Sequence, residues 1–141
     1  MKIDKQITRD AQVENLPPIR AFVKECCTET DLDNNTAYDL VLAVDEICTN
    51  IATHGYKDME PGTIKVRFTA DEKRVTITIS DKGHHFNPED APEPNLDEDW
   101  RKRPVGGLGL FLVNKIADEV KYESSTDGMN HLTLVKTLAA K

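Results

Sequence analysis

Two alternating apolar segments joined by a very short connection constrain this chain more than any other feature. Ile64, Val66 and Phe68 alternate with Lys65 and Arg67, and Val75, Ile77 and Ile79 alternate with Thr76, Thr78 and Ser80. A period of two puts each apolar set on one side of an extended strand. Asp71-Glu72-Lys73 leaves room only for a tight reversal, so the pair predicts an antiparallel hairpin with one apolar face. That face needs a cover, and segments of helical period stand before it. Val13, Leu16, Ile19, Phe22 and Val23 mark a helix over residues 11–29, broken or restarted at Pro17-Pro18. A second helix is clearer: Asn34 and Asn35 offer caps, and Leu40, Val44, Ile47 and Ile51 form a stripe that Gly55 stops.

The remaining segments complete a mixed order. Lys2 to Thr8 alternates weakly and reads as a first strand, and Glu60-Pro61-Gly62 reads as a turn. Residues 87–104 hold four of the seven prolines, six acids and three bases, which predicts a long irregular loop. Loops of that length in compact domains are commonly functional, so a lid is expected over about 87–105. Leu108, Leu112, Ile116 and Val120, at steps of four, predict one face of a third helix. Lys121 to Glu123 and His131 to Leu138 predict a last hairpin across Thr126-Asp127-Gly128. The expected class is α+β, a two-layer α/β sandwich with helices on one face of a mixed, mainly antiparallel sheet, residues 1–141 forming a single domain.

Charge and composition narrow the function. With 18 Lys and Arg against 25 Asp and Glu, the formal net charge of −7 disfavours nucleic acid as a partner. No apolar run approaches the ~20 residues of a membrane span, and Met1 to Asp10 lacks a secretory signal, so a cytoplasmic protein is expected. Three cysteines, Cys26, Cys27 and Cys48, form neither a disulfide framework nor a zinc spacing and read as small buried side chains. His84 and His85 are adjacent, so their side chains diverge and do not suit a shared metal.

Three local features could carry chemistry. Glu46, Asn50 and His54 recur every four residues, beside the apolar stripe of the second helix. A carboxylate can accept a proton from an attacking hydroxyl, and an amide oxygen one turn on can bind a hard cation such as Mg²⁺. The same spacing also describes an ordinary solvated helix face. Asp81-Lys82-Gly83 closes the second strand of the hairpin; it is either a plain turn or a carboxylate for the amino group of a purine, with Gly83 permitting close approach. Gly106-Gly107-Leu108-Gly109-Leu110 opens a helix after the long loop, as a flexible hinge or as a cradle of backbone N–H groups for phosphate. No Lys-Ser/Thr follows it, so it is not a P-loop. Arg101, Lys102 and Arg103, just before it, either reach a phosphate or an acidic partner or offset Asp97, Glu98 and Asp99.

In this order the three features resemble the GHKL (Bergerat-fold) ATPases, and within them the small anti-sigma-factor serine/threonine kinases of the RsbW type. The N-box pattern is similar to Asp45-Glu46-Ile47-Cys48-Thr49-Asn50-Ile51-Ala52-Thr53-His54-Gly55-Tyr56, the first glycine box to Asp81 through Pro88, and the second to Gly106 through Val113. Where many members carry a second glycine in the first box, this chain has His85. The resemblance covers residues from Asn34 onward and implies ATP and Mg²⁺ as cofactors. It implies that Glu46 is the general base, Asn50 the Mg²⁺ ligand, and His54 a support for the site or the phosphates. It further implies that Asp81 and Gly83 hold the adenine, and that Gly106, Gly107, Leu108, Gly109 and Leu110 hold the phosphates. The partners implied are a small STAS-like antagonist protein, which would be phosphorylated, and a sigma factor or equivalent regulator; homodimerisation is implied as well. The alternative function is a non-catalytic binding module of the same fold, tuned by nucleotide.

Overall fold

The computed structural model describes residues 2–84 and 113–138. The expected hairpin is its centre: β2 (Thr63–Ala70) and β3 (Arg74–Asp81) run antiparallel, with Phe68 opposite Ile77 and Ile64 opposite Asp81. β1 (Ile3–Asp10) adds to the free side of β2, and β4 (Glu119–Ser124) with β5 (Asn130–Thr137) forms the second hairpin. β5 pairs with β3, so the sheet order is β1-β2-β3-β5-β4 and every described pairing is antiparallel.

Two helices, α1 (Leu16–Thr28) and α2 (Asn34–Asn50), cover the apolar face. Ile19, Val23, Leu40, Val44 and Cys48 from the helices meet Ile64, Val66, Phe68, Val75, Ile77, Ile79 and Leu134 from the sheet in one core, all at most 1% exposed. Each such side chain contributes about 1.5–3 kcal/mol by leaving water. The opposite face is polar and threonine-rich: the Thr78 and Thr133 hydroxyls meet at 3.3 Å, and Arg67 grips Asp4 through two bonds of 2.8 and 3.0 Å. The three cysteines are buried thiols whose pKa values burial raises, as their placement on helices led us to expect. Among the described residues no helix is long and apolar enough to cross a membrane.

Local chemistry adjusts the expected boundaries. A 3₁₀ turn at Val13–Asn15 precedes α1, whose first turn takes Pro17-Pro18, where missing N–H groups cost no helical bond. Asp33, rather than Asn34 or Asn35, caps α2: its carboxylate accepts from the Thr36 N–H at 2.7 Å. An ionised carboxylate three residues before the orphan N–H is a stronger acceptor than a carboxamide inside the first turn. These bonds hold the Asp33 carboxyl below its ordinary value of 3.8, so its stabilisation is present above that pH and fades as pH falls through the lowered value. Asp33→Ala should therefore lower the melting temperature at pH 7, and the difference from the parent should shrink on acidification. Equal losses at pH 7 and pH 2.5 in thermal denaturation would refute this assignment.

The third helix needs a correction. Its described end is a helical turn at 113–116, and Val120, expected on the same helical face, lies in β4 opposite Leu134. Asp118 diverts the chain: its N–H donates to the Val135 carbonyl, and its carboxylate accepts from the Thr137 N–H and faces Lys136. Leu108 and Leu112 lie outside the described residues, as does the expected lid. The predicted last turn holds, with Gly128 at φ +87°, a conformation that side chains disfavour.

Candidate functional site

Glu46 and Asn50 sit on α2 beside its buried stripe, each half-buried. Burial, with Asp45 next to it, raises the Glu46 carboxyl above the ordinary carboxylate range. Asp45 itself is engaged by Arg20 at 3.1 Å. A carboxylate of raised affinity for protons suits general-base work. Among the described residues none bonds the Asn50 carboxamide, whose oxygen is a hard donor of the kind Mg²⁺ takes beside nucleotide phosphates.

After Asn50 the helix widens into a π turn, Ile51–Gly55. His54, four residues after Asn50, lies on this turn and is exposed. Gly55, read as the helix stop, ends this turn without a positive φ. Its importance is contact. The Gly55 carbonyl accepts from the His84 N–H at 2.7 Å, and a Cβ at Gly83 would lie 2.3 Å from that same oxygen. The Lys57 carbonyl accepts from His84 Nε2 at 2.6 Å. The Tyr56 hydroxyl donates to the Thr63 carbonyl and accepts from the Lys82 N–H, both at 2.8 Å. The end of the helix bearing Glu46 and Asn50 is thus fastened to the end of the strand bearing Asp81.

Asp81 is 9% exposed and faces Asn130 across the β3–β5 pair. Its Oδ1 accepts from the Gly83 N–H at 2.8 Å and from Asn130 Nδ2 at 3.1 Å. Glu46, Asn50, His54, Asp81 and Gly83 all belong to these joined segments; Gly106, Gly107, Leu108, Gly109 and Leu110 lie outside the described residues. Sequence reading missed Asn130 and gave Tyr56 no role. Asn130 carried a signal: in a strand whose even positions hold Leu132 and Leu134, it is a polar residue on the core side.

A family model for the histidine kinase-like ATPase domain matches residues 10–136. The serine-protein kinase RsbW of Bacillus licheniformis is 37% identical over 121 residues, covering 80% of this chain and 73% of that protein. The chain belongs to the RsbW family of histidine kinase-like ATPase domains. The serine-protein kinase RsbW of Bacillus subtilis (strain 168) is 30% identical over 119 residues, covering 81% of this chain and 74% of that protein. The crystal structure of the RsbU and RsbW domains of a Mycobacterium tuberculosis protein has the same fold, with a TM-score of 0.66 at 22% identity over 99% of this chain and 34% of that one. Membership in the RsbW family agrees with the sequence resemblance and with the α+β class. The clasp between Gly55 and Gly83 joins the two segments in which the sequence resembles the family's N-box and first glycine box.

Proposed function

We propose that the chain is an ATP-dependent protein serine/threonine kinase that phosphorylates a small antagonist protein and binds a sigma factor or an equivalent regulator in the cytoplasm. The observation that carries this reading is the fastening of α2, with its half-buried Glu46 of raised pKa, to the Asp81 end of β3, in a chain 37% identical to a serine-protein kinase. Phosphoryl transfer asks a protein chiefly for positioning and charge stabilisation, with one acceptor for the hydroxyl proton. Glu46 takes that proton. Asp81 accepts from the amino group of adenine, and Gly83 keeps the backbone close to the base. Asn50 supplies an amide oxygen for Mg²⁺, while His54, on the next turn, supports the site or the phosphates. Gly106, Gly107, Leu108, Gly109 and Leu110 supply backbone N–H groups to the phosphates. Mg²⁺, when bound, offsets the charge of the phosphate oxygens. A binding module without catalysis would have no need for a proton-avid carboxylate one helical turn before Asn50.

The test is to incubate the protein with Mg²⁺ and ATP in the presence of the antagonist candidate encoded nearby, then to map phosphoserine or phosphothreonine by mass spectrometry. Stoichiometric modification of the antagonist is expected. ATP binding without any transfer would overturn the kinase reading in favour of the non-catalytic one.

A further inference from the structure

One buried polar side chain governs how the Asp81 carboxylate is presented. Asn130 opens β5 directly opposite Asp81 and is 2% exposed. Its Nδ2 donates to Asp81 Oδ1 at 3.1 Å and to the Gly83 carbonyl at 2.9 Å, with the His84 carbonyl further off at 3.4 Å. Its own Oδ1 accepts from the Ser124 hydroxyl on β4 at 3.0 Å. The carboxamide therefore cannot turn over without opposing its oxygen to two acceptors, Asp81 and the Gly83 carbonyl. Gly83 N–H supplies the second bond to Asp81, also on Oδ1, at 2.8 Å. Among the described residues both donors to Asp81 thus end on one oxygen, and none ends on Oδ2.

This division of labour matters for recognition. Two N–H donors on Oδ1 fix the carboxylate plane, because rotation about Cβ–Cγ would break both bonds. Oδ2 is left as an acceptor held in one direction. An exocyclic amino group satisfies such an atom, whereas hydrogen in its place leaves a buried acceptor unpaired.

We propose that Asn130 is a positioning residue for base selection: by locking Asp81 through Oδ1 it aims Oδ2 at the 6-amino group of the purine, and so makes the protein prefer ATP to triphosphates lacking that group. The inference rests on the reading that Asp81 accepts from the base, and extends it to a residue on another strand. Its sharpest probe is purine riboside triphosphate, in which hydrogen replaces the 6-amino group.

Calorimetric titration should show the parent binding ATP roughly ten- to a hundredfold more tightly than this analogue, the worth of one hydrogen bond to a charged group. In Asn130→Leu the ATP affinity should fall while that for the analogue stays within about threefold, so that the preference collapses. Asn130→Ser, smaller and still polar, should show the same collapse and decides the matter if the leucine variant does not fold by circular dichroism. Equal weakening of both ligands in a folded variant, with the preference intact, would make Asn130 a purely structural residue and overturn the proposal. A parent that does not distinguish the two nucleotides would instead refute the role of Asp81 itself, a result that needs no Asn130 variant.

Discussion

Glu46→Gln is expected to lose roughly 10²- to 10⁴-fold in the rate of phosphoryl transfer while still binding ATP, the range ascribed to a general base. Gln keeps the shape of Glu and its place beside Asp45 on α2 but cannot take a proton. Single-turnover assays with the antagonist, alongside nucleotide titration, separate the two effects. The same substitution should raise the melting temperature at neutral pH. Burial raises the Glu46 pKa above its ordinary 4.5, so the fold is favoured by the neutral carboxyl below that pH and loses that benefit as pH rises through the raised value. Gln is neutral throughout, so its advantage over Glu should be visible at pH 7.5 and absent near pH 4. The parent's transfer rate should fall on the acid side as the carboxyl fills with a proton. Unchanged transfer by Glu46→Gln would remove Glu46 from the chemistry.

Gly83→Ala should cost about 3 kcal/mol, the upper part of the usual overpacking range, and lower the melting temperature by roughly 10 °C. The added methyl would lie 2.3 Å from the Gly55 carbonyl oxygen and 2.7 Å from its carbon. Neither is a side chain that can swing away, so the clash moves backbone. Gly83 does not have a positive φ, and the penalty is therefore steric rather than torsional. The shift separates the π turn from the Asp81 segment, breaking the bond of the His84 N–H to Gly55. ATP affinity should fall with stability, by tenfold or more. A melting point within about 2 °C of the parent, with normal ATP affinity, would show that this clasp does not hold the site.

Much of the fold was legible because its signals are local. The alternation at Ile64–Phe68 and Val75–Ile79 specified both strand type and buried face, and the stripe of α2 needed only a stride of three to four. Val120 shows where such reasoning ends. A valine four residues beyond Ile116 satisfies a helical stride as well as a strand, and the choice was made by Asp118 binding residues of β5. The α2 cap moved to Asp33 because a carboxylate outcompetes neighbouring carboxamides for the Thr36 N–H. In the candidate site, the placement of Glu46 and Asn50 one turn apart on α2 was readable from spacing. The π turn was not, since a widened backbone bond pattern leaves no periodic trace in side-chain type. Asn130 escaped because its meaning depends on which strand lies beside it, a pairing made with β3 across a separation of 49 positions.

That separation has its own consequence. Asp81 and Asn130 are cross-strand partners, so the chain between them, β4 included, starts and ends at one corner of the sheet. The entropy of closing such an excursion grows only logarithmically, about 0.6 kcal/mol for each doubling of length. Insertions or deletions outside β4 and the Asp118 turn before it therefore barely tax the pairing that builds the base-recognition corner. Evolution, or a protein engineer, is free to vary the rest of this excursion to suit a new binding partner, provided that Gly106 to Leu110 and β4, whose Ser124 holds Asn130, are kept.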